Sequence, residues 1–418
     1  MNDLNTIILA AGKGTRFRSE MPKVLHSLAG RPVIDYVIDV ARAAGSLKIY
    51  VVAGHKAEKV ASVVKGRAVM VLQKEQLGTA HAVRMCARHL GGKKGSVLVM
   101  CGDTPLLDKG IIRRLVAKQR RAKSACTVLS AVVVHPHGYG RMVRDVRGRL
   151  AAIREEKDAS ADEKKICEIN TGVYCFDNQA LFAMIDKVKK NPKKKEFYLT
   201  DIIALLIGSG RKVEVMATDD WQANIGINDR KDLAQAEEAL RRKTLERFMH
   251  NGVTVTDPAT TYIEQGVRIG MDTVLYPCTY IHHGVIVGRG CSIGPFARLR
   301  PGTVLADGVT VGNFTEVSRS HLGAGVTMKH FSFLGDANVG AGANIGCGAV
   351  TANYDGKNKN RTMIGPGAFI GSDAVLIAPV EVGKGAMVGA GAVVTPKRSV
   401  PSYSVAVGMP ARVVRKLK

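Results

Sequence analysis

The spacing of apolar residues changes character twice along the chain. From position 6 to about 228, short apolar and β-branched runs alternate with helix-period stretches, and the runs at 6–9, 49–52, 68–72, 96–100, 127–134 and 213–217 read as strands. Such alternation predicts a mostly parallel sheet with helices on both faces, whose ligands sit beyond the carboxyl ends of the strands. That rule singles out the loops at 10–16, 73–79 and 101–105. Residues 229–250 lack proline and glycine and are rich in Ala, Leu, Glu and Arg, which predicts one connecting helix.

Beyond it an aliphatic residue recurs at every sixth position, through Ile269, Leu275, Ile281, Val287, Ile293, Leu299, Leu305, Val311 and Val317. The repeat survives one-residue slips near Leu322 and Val339 and returns as Ile364, Ile370, Leu376, Val382, Val388 and Val394. Small or β-branched residues stand four places after the early members (Thr273, Thr279, Val285, Cys291, Ala297, Thr303, Val309, Thr315). Neither a helix nor a flat strand has this period. A parallel β-helix of hexapeptides does, with one aliphatic side chain per face filling a narrow triangular core and about three hexads per coil, hence roughly six or seven coils. The polar, basic segment 354–361 (YDGKNKNR) interrupts the repeat and is expected to leave the solenoid as a loop. The expected organisation is therefore an α/β domain over 1–228, a linker helix over 229–250 and a solenoid over 251–418.

The first strand opens into IILAAGKGTRFRSEMPK, residues 7–23. Gly12 and Gly14 remove the Cβ atoms that keep a backbone away from a ligand, while Lys13, Arg16 and Lys23 supply charge, so the loop is expected to hold phosphate. The dinucleotide pattern fails at Phe17, and the Walker pattern lacks its spacer and its Gly-Lys-Ser/Thr order. A net charge of +25 also predicts anionic partners. With aromatics at 5% and no RNP-type strand, zinc-finger spacing or basic heptad region, small phosphates fit better than nucleic acid. Part of the charge is expected on an exposed loop at 187–195. The eight cysteines form no C-x-x-C pair or zinc cluster and read as free thiols. The amino terminus does not fit a signal peptide, and no apolar run approaches the roughly 20 residues of a membrane span, so the expectation is a cytoplasmic protein without a membrane partner.

The combination of IILAAGKGTRF, Pro22-Lys23, LQKEQLGTAHA, CGDTPL, GYGR, EINTG and Asn228 resembles the sugar-1-phosphate nucleotidyltransferases. With the hexapeptide tract behind it, nearly the full length resembles the bifunctional UDP-N-acetylglucosamine pyrophosphorylase / glucosamine-1-phosphate N-acetyltransferase family. The resemblance implies a Rossmann-like α/β nucleotidyltransferase domain, a linker helix and a left-handed parallel β-helix acetyltransferase domain, assembled as a homotrimer. The implied reactions are acetyl-CoA-dependent N-acetylation of glucosamine-1-phosphate and Mg²⁺-dependent uridylyl transfer from UTP to N-acetylglucosamine-1-phosphate, releasing pyrophosphate. An Ala-Ala-Gly loop rather than Gly-Gly-x-Gly favours the UDP-N-acetylhexosamine branch.

In-line attack on the α-phosphorus of UTP needs positioning and charge neutralisation rather than a covalent nucleophile. The resemblance assigns Arg16 and Lys23 as catalytic cations and Leu9, Ala10, Ala11, Gly12 and Lys13 to the nucleotide loop. It assigns Gln73, Gln76 and Gly78 to the base, Thr79 to the nucleotide, and Gly140, Glu155, Asn170 and Thr171 to the sugar. Asp103 ends an apolar run where it suits Mg²⁺, with Asn228 as the implied second ligand; without the resemblance, a helix N-cap is the competing reading of Asp103. In the solenoid His330 is the implied general base, though a histidine on such a face also reads as a solvated surface residue. Arg300 and Asn344 are the implied sugar-phosphate contacts, and Asn353, Tyr354, Lys359, Ser372 and Ala390 the acetyl-CoA contacts.

Three positions depart from the family pattern. Cys101 stands where relatives have tyrosine, and Ser318 and Phe333 stand where they carry a lysine and a tyrosine around the acceptor phosphate, with Arg319, His321 or Lys329 as candidates to compensate. Cys101 bears on which sugar is taken, whereas Ser318 and Phe333 favour an alternative, a monofunctional uridylyltransferase whose solenoid only assembles or regulates the chain.

Overall fold

The computed structural model describes residues 3–192, 194–220 and 226–416; Lys193 of the lysine-rich loop lies outside them. The chain divides into two units, Met1–Glu237 and Glu238–Lys418.

In the first unit the apolar runs form β1 (Leu4–Leu9), β2 (Lys48–Ala53), β3 (Val69–Leu72), β4 (Ser96–Cys101) and β5 (Cys126–Val132), followed by β6 (Arg141–Arg144), β7 (Leu150–Arg154), β8 (Glu168–Asp177) and β9 (Val213–Thr218). The sheet order is β9-β5-β8-β4-β1-β2-β3, with the β6–β7 hairpin attached to β8. Neighbours are parallel except β8, which runs antiparallel between β4 and β5. Successive strand residues serve opposite faces. Ile7 and Val99 pack with Val83 and Ile203, while Ile8 and Met100 pack with Ile34, Ile38 and Leu115. The helices on those faces are α1 (Val33–Ala43), α2 (Ala57–Val64), α3 (Thr79–Arg84), α4 (Lys109–Ala122) and α5 (Asp201–Gly208). All six expected strands form, with ends displaced by at most two residues. β6, β7 and β8 were not legible in the apolar pattern.

The expected connecting helix is α6 (Arg230–His250), and the boundary between the two units falls within it. In the second unit the hexads form a left-handed parallel β-helix of three sheets of ten, eight and seven strands among the described residues, parallel throughout except for the last strand of the first sheet. One coil advances 18 residues where Val274 pairs with Ser292, 17 where Thr310 pairs with Thr327, and 25 where Asn344 pairs with Phe369. These steps are the regular repeat, the one-residue slips and the interruption. Leu275, Ile281, Ile293, Leu299 and Val311 are fully buried, as are the small corner residues Thr273, Thr279 and Thr303. The hydroxyls of those threonines donate to main-chain carbonyls of Gly288, Tyr276 and Val317, which satisfies the polar atom a narrow core would otherwise strand. A last strand, Arg412–Lys416, pairs antiparallel with Ser404–Val407 and ends the first sheet.

Corners of the solenoid use left-handed φ, mostly at glycine. At one corner three successive coils instead place Phe296, Phe314 and Phe331, at φ 56, 51 and 32, and all three rings are exposed. Phe296 and Phe314 stack with centroids 4.9 Å apart.

Because the core is one side chain wide, it cannot collapse around a deletion. Leu299→Ala is expected to cost the solenoid about 2–5 kcal/mol, read from its denaturant unfolding midpoint.

Candidate functional site

Three loops meet at the carboxyl ends of β1 to β4 because main-chain bonds stitch them together. Ala10 N–H donates to Val52 O at 2.8 Å, Gly102 N–H to Leu9 O at 2.8 Å, and Gln73 N–H to Ala53 O at 2.9 Å. The resulting cleft, about 520 Å³, is lined by Leu9, Ala10, Ala11, Gly12, Lys13, Lys23, Gln73, Gln76, Gly78, Thr79 and Asp103. Every residue expected in the nucleotide loop and around the base thus lies in one cavity. Gly14 is required locally, since its φ is 59 and an added Cβ would sit 3.0 Å from the Cβ of Lys23. Gly78 has φ 107 and presses against the Phe197 backbone, where a Cβ would come within 2.5 Å of the carbonyl oxygen. Gln73 is buried, its amide donating to Gly78 O at 3.1 Å, and Thr79 Oγ1 accepts from Leu199 N–H at 2.9 Å.

Asp103 does not cap a helix. Asp108 caps α4, accepting from Ile111 N–H at 2.9 Å, and this leaves the Asp103 carboxylate to the cleft, where the Lys23 ammonium meets it. Segment 226–228 lies against it. Ile227 N–H donates to Asp103 O at 2.8 Å, a Cβ on Gly226 would sit 3.3 Å from Asp103 Oδ1, and Asn228 Oδ1 accepts from Arg16 at 2.9 Å. Two hard oxygen donors each held by a cationic side chain suit a small divalent ion that takes its other ligands from phosphate and water. Among the described residues no cluster of three His, Cys, Asp or Glu exists that would make an all-protein cage.

The implied sugar residues lie on and around β8. Asn170 N–H donates to Gly140 O at 2.8 Å, Asn170 Nδ2 donates to Tyr174 Oη at 2.6 Å, and Thr171 Oγ1 donates to Leu129 O at 2.8 Å. Burial pushes the Glu155 carboxyl up from its ordinary value, the Thr200 hydroxyl at 2.9 Å partly opposing it and Asp201, Asp158 and Glu196 adding to it. The buried Arg141 anchors the hairpin through Glu156 at 2.7 Å, whose carboxylate also accepts from Gly138 N–H. Burial, with Asp103 beside it, pushes the Cys101 thiol to about 12, so this departure contributes a small neutral wall rather than a thiolate.

In the solenoid His330 is exposed and its Nδ1 lies 3.0 Å from Asn313 Oδ1. An amide oxygen only accepts, so Nδ1 is the donor of this pair, and in the neutral ring that leaves Nε2 as the nitrogen with the lone pair. Arg300 is paired with Glu316 at 2.8 Å, and Asn344 Oδ1 accepts from Thr327 at 2.9 Å. The interruption is an exposed loop organised by Asp355, which accepts from Lys357 N–H, Asn358 N–H and Asn360 Nδ2, and its ends meet at a Tyr354–Lys359 bridge. Ser372 and Ala390 sit one coil apart at the same corner, with Gly391 N–H donating to Ser372 O at 2.7 Å. Ser318 is buried, and its hydroxyl accepts from Arg319, whose guanidinium grips both oxygens of Asp336 at 2.7 and 2.8 Å. Arg319 is therefore spent within the fold. Cavities of about 440 Å³, beside Phe333, and about 580 Å³, beside Arg319 and His321, contain none of His330, Arg300 or Asn344.

A family model for the MobA-like NTP transferase domain matches residues 6–168, and one for the bacterial transferase hexapeptide matches 284–319 and 361–396. The bifunctional protein GlmU of Pelotomaculum thermopropionicum is 46% identical over 412 residues, covering 91% of this chain and 90% of that protein. Those of Shouchella clausii and Pelobacter propionicus are 42% and 43% identical, covering 96% and 99% of this chain and 95% and 98% of theirs. The chain belongs to the bifunctional GlmU family. Membership bears out the two activities implied above, uridylyl transfer and N-acetylation, and brings with it a divalent metal, acyl-CoA and nucleotide-sugar substrates. Among the described residues no helix is long and apolar enough to cross a membrane.

Several side chains that shape the GlmU-type cleft escaped sequence reasoning. Thr200, Tyr174 and Gly226 act on Glu155, Asn170 and Asp103 from distant positions and carry no local signature. Gly54 was within reach, because it follows β2 as Gly12 follows β1; a Cβ there would come within 2.5 Å of Gln76 Nε2.

The raised Glu155 carboxyl yields a pH test. As pH rises past the ordinary 4.5, the unfolded chain releases this proton first while the folded chain retains it, so wild-type stability falls until the folded value is passed. Glu155→Gln keeps an acceptor for Thr200 without that cost. The difference in unfolding free energy is expected to shift toward the variant as pH rises through and above the ordinary 4.5, measured by urea unfolding.

Proposed function

We propose that the amino-terminal unit transfers the uridylyl group of UTP to N-acetylglucosamine-1-phosphate, and that the carboxy-terminal unit makes this acceptor from glucosamine-1-phosphate and acetyl-CoA. The observation that carries the reading is the convergence of Asp103, Asn228, Lys23 and Arg16 beside the phosphate-facing loop 10–14. Asp103 and Asn228 would hold Mg²⁺, which when bound would supply neutralisation of the phosphate charge. Lys13 holds the outer phosphates, and Arg16 and Lys23 take the charge that grows on the α-phosphate and the leaving pyrophosphate. Gln73, Gln76 and Gly78 hold the uracil edge, while Gly140, Glu155, Asn170 and Thr171 position the sugar so that its phosphate oxygen lies in line with the leaving group.

In the solenoid, His330 Nε2 takes the proton of the acceptor amine as it attacks the thioester, its Nδ1–H held by Asn313. Arg300 and Asn344 hold the acceptor, and Asn353, Tyr354, Lys359, Ser372 and Ala390 hold acetyl-CoA. These residues are distributed over two faces of one solenoid and three corner phenylalanines are exposed, which supports a homotrimer whose neighbours complete each site. All eight cysteines are unbridged, which supports a reducing, cytoplasmic setting.

The halves are separable by assay. Asp103→Asn is expected to lower pyrophosphate release from UTP and N-acetylglucosamine-1-phosphate by about 10²-fold or more while leaving CoA release intact. His330→Ala is expected to lower CoA release by about 10²–10⁴-fold and leave uridylyl transfer intact. Loss of both activities in either variant, or of neither, overturns the assignment.

A further inference from the structure

A second cavity opens at the other end of the nucleotidyltransferase sheet. It lies at the amino ends of β1, β4, β5 and β9 and the carboxyl end of β8, with a volume of about 600 Å³, comparable to that of the catalytic cleft. Its floor is polar and already satisfied. Ser96 Oγ donates to Gln119 Oε1 at 2.9 Å, and Gln119 Nε2 donates to Ser124 O at 2.9 Å, all three residues being buried. The hollow is thus held open by bonds that need no ligand, a preformed pocket.

The rim is cationic. Arg120, Lys123, Arg211 and Lys212 line it against two acids, and each acid is already engaged, Asp3 by Arg120 at 3.1 Å and Asp177 as the cap that accepts from Ala180 N–H at 2.8 Å. Lys212 has Glu214 at 2.9 Å. Lys123 and Arg211 are exposed and have no side-chain partner among the described residues. Lys123 also ends α4 at φ 47, where glycine is the usual residue, so a long cation is kept at a backbone position that disfavours it. Neither the acceptor chemistry nor the acetyl-CoA chemistry uses this end of the sheet, and β4, six residues long, separates it from Asp103 by roughly 20 Å.

We propose that this cleft is a second anion site, which binds a small ligand carrying two or more phosphate groups. Two uncompensated cations above a preformed polar floor suit a multiply charged phosphate, and the volume is of the size that small ligands fill. Its occupation does not depend on the uridylyl-transfer reading.

Inorganic pyrophosphate, titrated calorimetrically into the full chain without divalent metal, tests it. Lys123→Glu/Arg211→Glu is expected to weaken one class of site by roughly ten- to hundredfold, and this class persists in Lys13→Ala/Arg16→Ala. Reversal of two exposed lysines, Lys59 on α2 and Lys65 just past its end, as Lys59→Glu/Lys65→Glu, is the charge control and is expected to leave it unchanged. Lys123→Gln/Arg211→Gln, with a matched thermal unfolding curve, guards against misfolding and is expected to show the same loss in smaller degree. The proposal is overturned if Lys123→Glu/Arg211→Glu binds like wild type, if the control weakens binding equally, or if all binding disappears with Lys13 and Arg16. Failure of that last pair to affect any site would instead count against the catalytic assignment.

Discussion

The nucleotidyltransferase half rests on one register. β1 pairs with β4 so that Leu9 lies opposite Cys101, and with β2 so that Leu9 lies opposite Val52. Each of these strands then releases its chain at the same height, so the glycine turn after Leu9 and the acid two residues after Cys101 face each other across one cleft. A slip of one residue would turn Ile7 and Ile8 to the wrong faces and carry Asp103 out of reach of Lys23. Both faces of β1 are buried against separate apolar clusters, which is why the register is not free to slip. The chemistry thus inherits its precision from packing several residues away from any ligand.

That dependence explains what could be read from the sequence. Strands buried on both faces are continuous apolar runs, so β1 to β5 and β9 stood out, and the loops after them held contiguous motifs. β8 did not stand out because its first half, EINTG, mixes site residues with a left-handed Gly172 and a break in register between Asn170 and Tyr174. It is the antiparallel strand that joins the two parallel groups, so the same residues that make it useful at the sugar made it illegible as a strand. Thr200 and Gly226 were unreadable for another reason. Their contacts are made across 45 and 123 positions of sequence, and only the fold supplies them.

The solenoid was legible in the opposite way, through repetition. Each hexad repeats the same burial problem, so the slips at Leu322 and Val339 appeared in the sequence as they do in the 17-residue coils. What repetition cannot reveal is how polar side chains on successive coils pair. Arg319 illustrates this. Its neighbour Ser318 belongs to the second face, whereas Arg319 sits at the corner with φ 48, which lets its side chain return to Ser318 and reach down one coil to Asp336.

That geometry bears on the acceptor. Hydrogen bonding by Arg319 holds the Asp336 carboxyl below its usual range, and the other partner of that carboxylate is the Asn353 amide. Arg319, Asp336 and Asn353 are then one unit, whose effect is to orient Asn353 rather than to offer a free guanidinium. Under the proposed reading, the charge absent at Ser318 is not returned by Arg319, and Phe333 offers no hydroxyl. Arg300, whose own guanidinium is shared with Glu316, is left for the acceptor phosphate together with the exposed Lys329 and His321. A charged hydrogen bond to phosphate contributes about 1.5–3 kcal/mol, so under that reading an acceptor site that gains no cation from the exposed Lys329 or His321 binds its phosphate one to two decades more weakly than a site with the lysine.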